Sequence, residues 1–192
     1  MLRLHFSFVL AYHGCDQKVA EALIDGAEFK ASNNDYDWLG QGIYFWESNP
    51  HRGLDWAKEQ SKRKSSSIKV PAVVGAIVEL GCCLDLSTLH GIEYAEIAYK
   101  NLVDVSQATS LPLPENSKDR LRRYLDCAVI TRLHTVLESM EEEPVDTVRG
   151  IFTEGGPIYP GSEFQRKTHI QIAVRNKDCI KGVFRVPAKH LK

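Results

Sequence analysis

The stretch PAVVGAIVEL, residues 71–80, constrains the fold more than any other. It is apolar, rich in β-branched residues and bounded by a proline, so it favours an extended strand over a helix. Shorter runs of the same kind lie on either side of it: LHFSFVLAY at 4–12, GIYFW at 42–46, DTVRGIF at 146–152, THIQIAVR at 168–175 and CIKGVFRV at 179–186. HGCD at 13–16 punctuates the first, which is expected to end at Tyr12. Asp16 reads as the N-cap of a helix from Gln17 to Asp25, with Gly26 as its stop. Asn49-Pro50 reads as a second helix start.

Residues 86–105 carry apolar side chains at three- and four-residue spacings, with one skipped turn near Ala98. After the linker SLPLPENS at 110–117, Leu121, Leu125, Ala128, Leu133, Val136 and Met140 predict a long helix starting at Ser117 and ending before EEEP at 141–144. Polar, glycine-bearing loops cover 31–42 and 153–167. Strands at both ends around a helical middle, roughly 84–142, predict one α+β domain over residues 1–192.

Composition excludes more than it assigns. Twenty-four Lys and Arg against 25 Asp and Glu leave no global field that would attract a polyanion or a membrane surface. The five cysteines, an odd number, show no metal-ligand spacing, so reduced thiols in a cytoplasmic protein are expected, and no metal. His5 and Ser7 interrupt the N-terminal apolar run, which reads as a first core strand and not as a signal peptide. No 18-residue apolar stretch is present, so no membrane partner is expected. The chain also lacks a phosphate-binding G-x-x-x-x-G-K-[ST] loop, an H-E-x-x-H motif and a G-x-S-x-G elbow.

Two local patterns carry chemistry. His13-Gly14 puts an imidazole beside a backbone that a ligand can approach. Gly40-Gln41-Gly42-Ile43-Tyr44-Phe45 sends a flexible loop into a strand whose Tyr44 and Trp46 face one way and Ile43 and Phe45 the other. No third glycine opens a helix, so this is not the dinucleotide fingerprint of a parallel α/β fold.

YHG, then LGQGIYF about thirty residues on, then a short helix ending in DWA, in that order, resemble the poly(ADP-ribose) polymerase-type ADP-ribosyltransferases. The resemblance implies a split mixed or antiparallel sheet with an NAD cleft, and NAD as co-substrate. It implies that His13 holds the adenosine ribose, that Gly14 offers its backbone to the nicotinamide carboxamide, and that Gly42, Tyr44 and Trp56 line the nicotinamide slot. Trp56 lies one position away from where the family often places its second stacking aromatic. In this family a glutamate sits on a strand near the C-terminus; here that position is Gln171.

Cleavage of a nicotinamide–ribose bond develops oxocarbenium character on the sugar. A neutral carboxamide is worth less there than a carboxylate by about 1–2 kcal/mol, or on the order of tenfold in rate. Gln171 also cannot take a proton from an acceptor, so either another group activates it, with Glu163 preferred over Glu154 and His169, or the acceptor is already nucleophilic, or it is water. The resemblance thus implies a mono-ADP-ribosyltransferase acting on a protein or nucleic acid, with an NAD glycohydrolase and an inactive NAD- or ADP-ribose-binding module as alternatives. Small relatives with this motif set resemble toxins and phage-defence effectors, which implies a neutralising partner. Lys62, Arg63 and Lys64, and Lys118, Arg120, Arg122 and Arg123, are candidate phosphate contacts and equally candidate solvated helix faces.

Overall fold

The computed structural model describes residues 8–119 and 121–191; the first residues of the expected N-terminal strand, 4–7, and Arg120 lie outside them. It is an α+β fold built on a seven-stranded mixed sheet. The strands are β1 (Phe8–Asp16), β2 (Ile43–Glu47), β3 (Pro71–Glu79), β4 (Cys83–Asp85), β5 (Thr147–Phe152), β6 (His169–Val174) and β7 (Ile180–Arg185). They lie in the order β4-β5-β6-β2-β1-β3-β7, antiparallel throughout except for β4 against β5. The helices are α1 (Gln17–Ile24), α2 (Pro50–Ser61), α3 (Leu89–Thr109) and α4 (Tyr124–Ser139).

Three expectations need correcting. The first strand does not stop at Tyr12 but continues through His13 and Gly14 to Asp16. The reason is that β3 keeps pairing with it, His13 opposite Val74 and Asp16 opposite Pro71. The turn begins only where the Asp16 carboxylate accepts the N–H groups of Val70, Lys69 and Lys18, which hold its pKa below the usual range and join the start of α1 to the entry of β3. Second, Leu84 and Asp85, expected at the start of the helical middle, belong with Cys83 to β4, where Leu84 enters the core beside Val148.

Third, α4 starts at Tyr124 and not at Ser117. Ser117 and Asp119 side chains take the backbone N–H groups of Arg122 and Leu121, and Asn116 takes that of Leu125. These local bonds compete with the helical ladder and delay it by two turns.

Register sorts the side chains into two cores. On one face Ala11, Cys15, Ile43, Phe45, Val74, Ala76, Ile172 and Val174 pack with Ala20 and Leu23 of α1 and with Phe29. On the other, Val148 and Ala173 pack under Ala98 of α3 and Val129, Ile130 and Leu133 of α4, with Tyr44 against them. α2 lies on β1 so closely that a Cβ on Gly14 would sit 2.2 Å from the Gly53 carbonyl oxygen. Backbone meets backbone there, so only glycine fits.

One pairing is incomplete, and it positions the site. β1 and β2 pair only at Ala11–Glu47 and Tyr12–Trp46. Beyond them β1 stays on β3, and β2 stays on β6 from Ile43 onward. The sheet therefore forks between residues 13–16 and 43–45.

Two outcomes follow for stability. Gly14→Ala is expected to cost roughly 1–3 kcal/mol by overpacking and to lower the melting temperature by roughly 2–12 °C in a thermal scan. His134 is buried in the α4 core with both ring nitrogens unpartnered, and burial lowers its pKa from 6.5 to about 3. Below pH 6.5 the unfolded chain takes up a proton that the folded chain refuses until about pH 3. Stability therefore falls with pH across that window by up to about 1.4 kcal/mol per pH unit, and His134→Leu should flatten this limb in urea unfolding.

Candidate active site

His13 stands at the fork. Its Nδ1–H donates to the Tyr44 carbonyl oxygen at 2.8 Å, a direction fixed because a carbonyl only accepts. Its ring lies 5.4 Å from Phe29 and 5.7 Å from Phe45, both first-core residues, and burial holds its pKa below the ordinary value. A neutral imidazole with Nδ1 occupied keeps its Nε2 lone pair as an acceptor.

The Tyr44 side chain takes the opposite face. Its hydroxyl donates to the Gly40 carbonyl at 2.8 Å and accepts from the Leu39 N–H at 3.0 Å. Burial pushes its pKa well above the phenolic value. The phenol therefore latches the 39–44 turn, in which Gly40 takes a left-handed φ of 76°. Gly42 brings that turn onto β6: a Cβ there would lie 3.0 Å from the Val174 carbonyl oxygen.

Gln171 pairs across β6–β2 with Trp46, which puts it on the Tyr44 face. Its Oε1 accepts the indole N–H of Trp38 at 2.8 Å. Aromatic rings continue on both sides of this bond. Trp38 meets Phe152 at 5.1 Å, Phe152 stacks on His169 at 5.3 Å, His169 faces Trp46 at 6.3 Å, and Trp46 faces Trp56 at 5.4 Å. The Arg123 guanidinium lies over Trp38 and Phe152 at 5.0 and 4.4 Å. Trp56 also closes on Gly14, whose Cβ would sit 3.2 Å from its ring.

The fold thus brings His13 to the Tyr44 backbone, puts Tyr44 and Gln171 on one face of neighbouring strands, and sets Trp56 beside Gly14. The His13 ring itself packs on the other face, with Phe29 and Phe45. Glu163 is exposed at the tip of the hairpin that continues β5 and β6, at the far end from the Gln171–Gly150 pair. Glu154 lies at the hairpin base and pairs with Arg52; the two side chains are 17% and 9% exposed. His169 donates from Nδ1 to the Lys167 carbonyl at 2.6 Å, and burial lowers its pKa, which leaves its buried Nε2 as an unpartnered acceptor. Trp46 Nε1 and Arg52 Nε and Nη1 are likewise buried without a hydrogen-bond partner.

Sequence reasoning passed over Trp38, Phe152, Arg52 and the stacking role of Arg123. One readable signal was Gly150 inside a strand, because a Cβ there would lie 3.0 Å from the Trp38 ring. Of the basic clusters, Lys62, Arg63 and Lys64 are exposed, whereas Arg122 lies over Tyr36 and Arg123 over Trp38 and Phe152. A groove of about 610 Å³ opens between α3 and α4 with Trp38 on its wall; His13, Tyr44 and Gln171 do not line it. All five cysteines are buried and unbridged. Among the described residues no group of three or more His, Cys, Asp or Glu is placed to hold a metal, and no helix is long and apolar enough to cross a membrane.

No family model and no solved structure matches this chain. It is 28% identical over 189 residues to the uncharacterized protein MJ0359 of Methanocaldococcus jannaschii, an alignment covering 88% of this chain and 83% of that one.

The Arg52–Glu154 pair gives a test of the site's electrostatics. Glu154→Gln leaves a buried guanidinium whose next carboxylate, on Glu59, is 3.8 Å away. Urea unfolding should show a loss of roughly 3 kcal/mol, and Arg52→Met combined with Glu154→Met should lose much less, since neither charge is then stranded.

Proposed function

We propose that the chain is an NAD-dependent mono-ADP-ribosyltransferase whose cleft is the fork between β1 and β2. The observation that carries this reading is the fork itself. His13 and Gly14 stand on one prong and Tyr44 on the other, with Gln171 on the strand next to Tyr44. The order of the His-Gly and Gly-x-Gly-Ile-Tyr-Phe motifs supports the same reading.

In the reaction, the bond between the ribose C1′ and the nicotinamide nitrogen breaks and its electron pair leaves with neutral nicotinamide. The acceptor's nucleophilic atom then adds to C1′ and gives up a proton. His13 meets the adenosine ribose through its free Nε2, and Tyr44 and Trp56 flank the nicotinamide. Gln171 carries no charge to balance the developing cation, which holds the rate about tenfold below that of a carboxylate. Of the groups near Gln171, neutral His169 has a lone pair for the acceptor's proton, whereas Glu154 is engaged by Arg52. Exposed Glu163 reaches the reaction only if the hairpin folds over a bound acceptor.

A second reading, NAD glycohydrolase, is favoured by the neutral amide at position 171 and by the engagement of Glu154 with Arg52. Water then replaces the macromolecular acceptor. The acceptor class and a neutralising partner belong to the proposal by resemblance alone, and a cytoplasmic setting belongs to it by cysteine usage.

Adenine-labelled NAD incubated with cell extract and the protein should leave label on a macromolecule, identified by protease, RNase and DNase digestion. His13→Ala and Gln171→Leu should abolish it, and Gln171→Glu should raise the turnover number for nicotinamide release about tenfold. Free ADP-ribose formed without extract would select the glycohydrolase. Absence of both products, with NAD still bound in calorimetry, would leave a binding module in place of an enzyme.

A further inference from the structure

An indole N–H donates and never accepts, so the Trp38–Gln171 bond fixes which end of the carboxamide points where. Oxygen and nitrogen diverge from the amide carbon. Turning Oε1 into the aromatic wall therefore turns the NH2 group away from it. Among the described residues that NH2 makes no hydrogen bond, and it is absent from the buried unpartnered atoms of a half-buried residue, so solvent reaches it. The indole has little freedom to release the oxygen. Phe152 meets its ring edge-on, the Arg123 guanidinium covers it, and β5 approaches it through Gly150, where a Cβ would already lie 3.0 Å away.

We infer that Trp38 is a positioning residue that makes Gln171 a hydrogen-bond donor toward the cleft, so that position 171 recognises an oxygen lone pair on the ligand and not a hydroxyl proton. This rests on reading the fork as an ADP-ribose-binding cleft, where the lone pair belongs to a sugar ring oxygen, which has no proton to turn toward a carboxylate. It changes what the glutamine is for. A carboxylate at 171 would accept from Trp38 with one oxygen and present the other, acceptor-only, to the same sugar oxygen. Two lone pairs would then face each other in the ground state, while the negative charge would favour the cationic transition state. Gln171→Glu thus trades affinity for turnover.

The experiment is a ¹H–¹⁵N spectrum of the full chain titrated with ADP-ribose. The Trp38 indole signal is identified by its loss in Trp38→Phe, and the Gln171 side-chain NH2 pair by its loss in Gln171→Leu. The indole proton should move upfield in Gln171→Leu, and the NH2 protons should move downfield as ADP-ribose is added. Gln171→Glu should weaken ADP-ribose about tenfold, the worth of one hydrogen bond turned to repulsion.

An indole signal indifferent to Gln171→Leu overturns the positioning role. Unmoved NH2 protons on saturation, or equal or tighter binding by Gln171→Glu, overturn the donor role. ADP-ribose binding to neither protein, with the indole signal still responsive, overturns the reading of the fork as an ADP-ribose cleft; the orientation of Gln171 then stands on the indole signal alone.

Discussion

The structure depends on how little β1 and β2 share. Two ladder pairs, Ala11–Glu47 and Tyr12–Trp46, are all the strand pairing that joins the β4-β5-β6-β2 part of the sheet to the β1-β3-β7 part. Each prong is held firmly from outside, β1 by nine residue pairs with β3 and β2 by four with β6. The prongs can therefore diverge without fraying. At the point of divergence the His13 ring replaces a ladder bond with its own bond to the Tyr44 carbonyl. That substitution satisfies one carbonyl and leaves the neighbouring backbone edges unpaired with each other, which a continuous sheet would not allow.

Burial keeps the titratable groups of the fork, and His169 of the aromatic row beyond Trp46, neutral. The pKa values of His13 and His169 are lowered and that of Tyr44 is raised, in each case chiefly by loss of water. The charged groups nearby are paired or stacked: Arg52 with Glu154, and Arg123 over two rings. A site of this kind offers lone pairs, N–H dipoles and ring faces. Dipoles fixed in place away from water interact with a charge more strongly than they would in solvent.

Much of this was legible in residue order, because the signals were local. The caps at Asp16 and Asn49 placed α1 and α2, and alternation in GIYFW separated Ile43 and Phe45 from Tyr44 and Trp46 as the cores do. What failed depended on distant partners. His13-Gly14 reads as a turn until β3 is known to run beside it, and Leu84-Asp85 falls into the helical middle until β5 is known to pair with it. The start of α4 was misplaced because Asn116, Ser117 and Asp119 fold back on their own backbone, and the apolar spacing of the helix carries no trace of that. Trp38 was invisible as a site residue for a similar reason: its partner lies 133 positions away.

The neighbours of Gln171 bear on why an amide stands there. A carboxylate at this position would accept the Trp38 N–H and set a negative charge against the indole that the Arg123 guanidinium covers together with Phe152. Drawing Arg123 toward that charge would strip the cation from the two rings that hold the indole in place. A neutral amide makes no such demand. It accepts the indole N–H, leaves Arg123 on the rings, and keeps its NH2 group open to solvent. The neutral amide at 171 and the aromatic packing around Trp38 are thus one arrangement, and changing either residue alone disturbs the other.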